Sequence, residues 1–212
     1  MYFIGPKEKF PPVSFADEDG LLAVSRELSP ERLKEAYSLG IYPWYNEGQP
    51  VLWWSPDPRM VLFPEKLKIA RSMRPLLNQD RFRVTFNQEF EKVIENCGAI
   101  DRKGQDGTWI TPEIKENYLK LHHEGIAVST EVWDDEKLVG GLYGIYLREN
   151  KVFCGESMFA KASNASKFGF IRLVQKLKEE GVKLIDCQIY TSHLESLGGE
   201  EIPRKDFLEY LK

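Results

Sequence analysis

Two acids and one amide carry most of the chemistry this chain can offer: Glu156 in FCGESMF, and the Asp186/Gln188 pair in LIDCQ. Each sits among apolar residues on what reads as an interior strand. A carboxylate in such company is costly unless something pairs with it. Glu156 is therefore a strand-end or structural ion pair, or else a functional carboxylate in an apolar pocket. Asp186 and Gln188 are two residues apart, so both project from one face of their strand. A single buried acid is most simply a satisfied core group, whereas two acids and a glutamine on neighbouring strands point to a site. GES does not match the G-x-S-x-G elbow, and the three histidines lie on a helix (His122, His123) or near a C-terminal loop (His193). Ser157 then reads as a hydrogen-bonding residue, not an activated nucleophile. Cys97, Cys154 and Cys187 show no CxxC or Cys/His spacing, so neither a zinc site nor a disulfide framework is expected.

A second feature is electrostatic. The 212 residues carry a net charge of −4, yet KLKIARSMRPLLNQDRFR sets Lys66, Lys68, Arg71, Arg74, Arg81 and Arg83 against the lone acid Asp80. Basic residues usually form a solvated face. A cluster this lopsided in an acidic chain reads as a local anion or phosphate patch. No apolar run is long enough to span a bilayer, and MYFIGPKEKF lacks the layout of a secretory signal. With unpaired cysteines, these features lead us to expect a cytoplasmic protein with no membrane partner.

The elements that must position these residues follow from punctuation and period. Residues 1 to 65 read as a small irregular domain: Ser29 caps one helix begun by Pro30 and stopped by Gly40. Prolines at 43, 50, 56, 58 and 64 exclude long elements after it. Trp44, Tyr45, Trp53 and Trp54 crowd here, mostly as core, with some able to line a groove for a base or sugar. Residues 66–212 read as α+β. RFRVTF is a strand, FNQEFEKVIENCG a helix, and Thr111, Pro112 and Gly125 bound another helix. AVSTEVW, KLVGGLYGIYL and KVFCGESMF, joined by DDE and REN, form an antiparallel meander. SNASKFGFIRLVQKLKEEG reads as a helix, VKLIDCQIY as a buried strand, and short helical pieces end the chain.

Meander, helix and further strand is the order found in acyltransferases of the GNAT superfamily. These bind acyl-CoA through a Gly-rich loop at the helix N-terminus. The corresponding stretch here, AKASNASK, has no glycine, so a CoA-dependent acetyltransferase is disfavoured and a different acyl donor is expected.

The motifs GIYPWYNEGQPVLWWSPDPRMVLFPE, GTWITPE, LVGGLYG, FCGESMF, NASK, LIDCQ and LGGEEIPR, in that order, resemble the leucyl/phenylalanyl-tRNA–protein transferase family from about Asp19 to the C-terminus. The resemblance implies a small N-terminal domain and a GNAT-like C-terminal domain with a mixed, largely antiparallel sheet. It implies transfer of leucine or phenylalanine, and less well methionine, from aminoacyl-tRNA to proteins with N-terminal Arg or Lys, marking them for N-end rule degradation. It also implies a cytoplasmic monomer working without metal, CoA or other cofactor. Carried over by motif, the donor pocket is Trp109, Phe153, Gly155, Glu156, Ser157, Met158 and Ile185. The catalytic residues are Asp186 and Gln188, with Glu156 meeting an ammonium group of donor or acceptor, and Arg71, Arg74, Arg81 and Arg83 contact tRNA. The chain departs from the family at Ser25-Arg26-Glu27, where glycines are usual, at Thr191, where asparagine is common, and at Gly144, near which methionine is often found.

An aminoacyl ester is already activated, and about a tenth of a peptide α-amine is neutral at pH 7, so no strong nucleophile need be generated. On this basis Gln188, polarised by Asp186, is expected to orient the amine and assist its proton loss. Two rival classes fit parts of the sequence. A carboxylate glycosidase would need both acids across a cleft and leaves the basic segment unexplained. A non-catalytic tRNA-binding module would need no Asp186/Gln188 pair.

Overall fold

The computed structural model describes residues 2–100 and 108–212; Met1 and Gly107, the first residue of GTWITPE, lie outside them. Short strands separated by prolines and turns build a four-stranded N-terminal sheet: β1 (Tyr2–Phe3), β2 (Leu21–Ser25), β3 (Tyr42–Pro43) and β4 (Val51–Trp54), in the order β1-β2-β4-β3. This sheet was not anticipated. LLAVS is buried at every position and shows no alternation to betray a strand. Helix α1 (Pro30–Ser38) packs on it, with the Ser29 hydroxyl accepting from the Arg32 N–H as the cap sequence requires.

The remaining chain supplies β5 (Arg59–Leu62), α2 (Met73–Asn78), β6 (Arg83–Phe86), α3 (Phe90–Gly98), α4 (Pro112–His123), β7 (Ala127–Asp134), β8 (Lys137–Leu147), β9 (Val152–Ala160), α5 (Ala165–Glu179), β10 (Leu184–Gln188), α6 (Ser192–Ser196), β11 (Glu200–Ile202) and α7 (Arg204–Leu208). Seven of its strands form one sheet, ordered β11-β5-β10-β9-β8-β7-β6. The meander β7-β8-β9 is antiparallel, and β10 returns parallel to β9 after α5, which is the expected acyltransferase-type order. β5 runs antiparallel to β10 inside this sheet, so it precedes residue 65 in sequence but is structurally part of the larger unit.

Strand period divides the core in two. Phe153, Ile185 and Leu62 join the cluster under α5 and α2, while their neighbours Cys154, Leu184 and Val61 join the cluster under α3, α4 and the N-terminal sheet. Each fully buried large side chain, such as Phe168 or Phe159, contributes about 1.5–3 kcal/mol.

Two irregularities break the strand period where the functional candidates lie. On β9, Ser157 pairs with Tyr143 and Gly155 with the next residue, Gly144, so Glu156 is an extra, bulged residue. On β10, Asp186 pairs with Val61 and Gln188 with Met60, leaving Cys187 as the extra residue and Gln188 at φ +67°. Bulges re-aim side chains and gather near active sites. Gly144 makes the first one possible, since a Cβ there would lie 2.2 Å from the Cys154 carbonyl oxygen and 2.5 Å from Phe153 Cζ. Gly144→Ala is expected to cost roughly 1–3 kcal/mol by overpacking, read as a lower denaturation midpoint. An unchanged midpoint would remove this explanation of the bulge.

Candidate active site

A cavity of about 420 Å³ opens between the two bulges, within the usual range for small-molecule sites. Its apolar end is walled by Leu142, Phe153, Met158, Phe170 and Ile185. Trp109, Glu156, Ser157, Gln188 and His193 also line it, with the exposed Trp44 and Ile189 at its rim. The carried-over pocket residues Trp109, Phe153, Gly155, Glu156, Ser157, Met158 and Ile185 thus line one space together with Gln188. Asp186 is not among the lining residues and is 1% exposed.

The polar groups form two linked sets. The first is a chain of hydrogen bonds behind Glu156. Gln188 Nε2 donates to Glu156 Oε1 at 2.9 Å, and the Tyr118 hydroxyl donates to Oε2 at 3.1 Å. Tyr37, from α1, shares a 2.5 Å hydrogen bond with Tyr118 from α4. Burial and the neighbouring Glu156 raise both phenols well above their ordinary range, so they stay protonated. Burial raises Glu156 to about 8; the two tyrosine hydroxyls and the Gln188 amide offset part of that rise, and Asp186 adds to it. The carboxyl is thus largely neutral at pH 7, and a cation placed beside it would favour the ionised form.

The second set lies behind the cavity. Arg59 Nε and Nη2 donate to Asp186 Oδ1 and Oδ2 at 2.8 and 2.7 Å, and both side chains are 1% exposed. Asp186 Oδ1 also accepts the backbone N–H of Gln188 at 2.9 Å. Asp186 therefore meets Gln188 through its main chain, while the Gln188 side chain is spent on Glu156. This differs from the expected polarisation of the amide by Asp186, and the bulge at Cys187 is the reason. Arg59, Tyr37 and Tyr118 were missed, because each acts across 81 or 127 residues of sequence. The one local signal was an arginine set between prolines and an apolar strand.

The pH dependence of stability follows from Glu156. Its folded pKa of about 8 exceeds its ordinary 4.5, so between these values the native state holds a proton the unfolded chain has lost. Stability from this group is full below pH 4.5 and declines toward pH 8. Glu156→Gln removes that decline, and the variant's melting temperature relative to the native protein is expected to rise across this window. A gap that stays constant from pH 4.5 to 8 would contradict the assigned ionisation.

Only the Lys68 end of the basic segment lies near the cavity; Arg81 and Arg83 lie at β6, the opposite edge of the large sheet. The Lys68 N–H donates to the Leu197 carbonyl at 2.9 Å, just beyond α6, which carries His193. Arg71 and Arg74 are exposed and make no ion pair among the described residues. Arg81 is held by Asp134 at 2.7 and 2.8 Å, and Arg83 lies over the Trp133 ring. Among the described residues no cluster of side chains could hold a metal ion, and no helix is long and apolar enough to cross a membrane. Of the four crowded aromatics, Trp53 is wholly buried, whereas Trp44 is 38% exposed at the cavity mouth.

An apolar cavity at the junction of an antiparallel meander and a parallel return strand, with a carboxyl and an amide on its wall, fits the acyl-donor site expected from the sequence. Residues 61–212 match the model of the leucyl/phenylalanyl-tRNA protein transferase family, and residues 26–57 match that of its N-terminal domain. The chain is 82% identical over 211 residues to a leucyl/phenylalanyl-tRNA–protein transferase of Christiangramia forsetii, covering 100% of both chains. It is 59% identical to one of Flavobacterium johnsoniae, covering 100% of this chain and 99% of that one. The chain belongs to the leucyl/phenylalanyl-tRNA–protein transferase family.

Proposed function

We propose that this aminoacyltransferase moves leucine or phenylalanine, and less well methionine, from aminoacyl-tRNA to the N-terminal Arg or Lys of acceptor proteins, in the cytoplasm and as a monomer. The observation that carries the mechanism is the pair of bulges that set Glu156 and Gln188 at 2.9 Å on the wall of an apolar cavity. The donor side chain occupies the apolar end between Phe153, Met158 and Ile185. Its ammonium group faces Glu156, which ionises beside it. Gln188 Nε2 is committed to Glu156, leaving its carbonyl oxygen to accept a hydrogen bond from the incoming α-amine. The amine nitrogen then attacks the ester carbonyl, the C–N bond forms, and the bond to the ribose oxygen breaks. The amine gives up a proton, and the ribose oxygen gains one.

A carboxamide does not take up a proton near pH 7, so Gln188 orients and does not act as base. That suffices: positioning amine and ester is worth about 7–11 kcal/mol at best. A hydrophobic cavity separates side chains by only about 1–3 kcal/mol per methylene, which fits a donor set of Leu, Phe and Met. The glycosidase alternative loses its second acid, because Asp186 is locked onto Arg59 away from the cavity. The two-unit division belongs to the same reading: the N-terminal unit contributes Tyr37, and the transfer unit receives β5 from across the boundary.

The test is transfer of labelled leucine from leucyl-tRNA to a peptide beginning with Arg. No label in that peptide, or equal label in one beginning with Glu, would reject the proposal. For the patch, Arg71→Glu with Arg74→Glu is expected to weaken tRNA binding and flatten its salt dependence by about one to two in log–log slope. An unchanged slope would move the tRNA path elsewhere.

A further inference from the structure

Arg59 takes no part in the mechanism above, yet it is among the most unusual residues in the molecule. Its guanidinium is fully buried between the rings of Tyr42 from β3 and Phe207 from α7, at 4.9 and 4.7 Å. It bonds Asp186 through Nε and Nη2, while Nη1 is buried with no partner among the described residues. A buried ion pair with a donor left unmet is poor value as a source of stability, since apolar residues of like volume commonly do as well. What the pair does achieve is geometric. Asp186 Oδ1, fixed by Arg59, accepts the backbone N–H of Gln188 at 2.9 Å. That bond holds Gln188 at φ +67°, a conformation a residue with a side chain rarely adopts. From there its amide reaches Glu156.

We infer that Arg59 is a positioning residue for the transfer reaction: held between Tyr42 and Phe207, it locks Asp186 so that the strained Gln188 backbone presents its amide to Glu156 and to the attacking amine. The inference rests on the functional reading above for its effect on rate, but its geometric content stands apart from it. Lysine supplies a charge without the planar two-point fork, so it keeps the pairing in charge and loses the lock. Tyr42 belongs to the N-terminal sheet and Phe207 to the C-terminal helix, so both ends of the chain bear on one backbone bond in the site.

The experiment compares the native full-length protein with Arg59→Lys, and with Phe207→Leu, which loosens one wall of the clamp without altering charge. Three quantities are read: hydrogen exchange at the Gln188 backbone amide by NMR, stoichiometry of leucyl-tRNA binding, and kcat for transfer to an Arg-starting peptide. Arg59→Lys is expected to exchange the Gln188 amide at least tenfold faster than the native protein, bind one donor per chain, and lose about 10²-fold in kcat. Phe207→Leu should move exchange and kcat in the same direction by less. A purely structural defect would instead lower the donor-binding stoichiometry in step with activity, and that result would overturn the inference. So would native-like exchange at Gln188 in the variant that folds. Should Arg59→Lys fail to fold, Phe207→Leu decides on the same readouts. If the native protein transfers nothing, the functional reading fails, while the exchange data still decide whether Arg59 sets the Gln188 geometry.

Discussion

Asp186→Ala is expected to cost about 3–5 kcal/mol of stability, because it leaves the Arg59 guanidinium in the core without its ion partner. For a domain whose total stability is typically about 5–15 kcal/mol, that is a large share. Urea denaturation should show a lower midpoint with an unchanged slope. Transfer falls as well, since Gln188 loses the acceptor for its backbone N–H. The two effects separate in a double variant. Arg59→Met with Asp186→Leu removes both charges at once and should regain most of the stability while remaining inactive. If Asp186→Ala alone is as stable as the native protein, the buried pair is not the constraint described here. If the double variant transfers normally, the pair has no bearing on the site.

Gln188→Ala is expected to lower kcat about 10²-fold, equivalent to roughly 2.7 kcal/mol in the barrier. The KM for leucyl-tRNA should move little, because in the proposed mechanism the donor side chain packs against Phe153, Met158 and Ile185 of the cavity lining and not on the Gln188 amide. Gln188→Gly provides the internal control. It deletes the same amide but relieves the φ of +67°, so it should be more stable than the alanine variant and equally slow. A glycine variant that recovers activity would show that backbone strain, not the amide, limits transfer.

The capped helices and the meander were legible from sequence for local reasons. Ser29 and Thr111 cap their helices through the N–H groups of Arg32 and Ile114, and the short polar turns of the meander dictate antiparallel neighbours. The N-terminal sheet was not legible. β1 pairs with β2 across some twenty residues of chain, β2 is buried on both faces, and β3 is two residues long. β5 and the acidic edge strand β11 were hidden by the prolines around them and by EEI, which carries no strand signal.

The site divides in the same way. Glu156, Asp186 and Gln188 stood out because polar groups in apolar strands are expensive, and that argument needs only local sequence. Their roles did not follow. Alternation places Asp186 and Gln188 side by side, whereas the bulge at Cys187 turns one to Arg59 and the other to Glu156. A bulge is a property of pairing between strands, so no single segment encodes it. Gly144 and Gly155, small residues facing each other across the first bulge, were its nearest trace in the sequence.

In the proposed mechanism this cavity favours an amine over water as the nucleophile toward an aminoacyl ester. A single-turnover reaction measures that choice directly. The native protein, in excess over leucyl-tRNA labelled in the amino acid, is mixed with an Arg-starting peptide, and the label is partitioned between peptide, free leucine and remaining ester. Nearly all of it is expected in an amide bond at the peptide's α-amine. Label recovered chiefly as free leucine, or left on the tRNA, would contradict that mechanism.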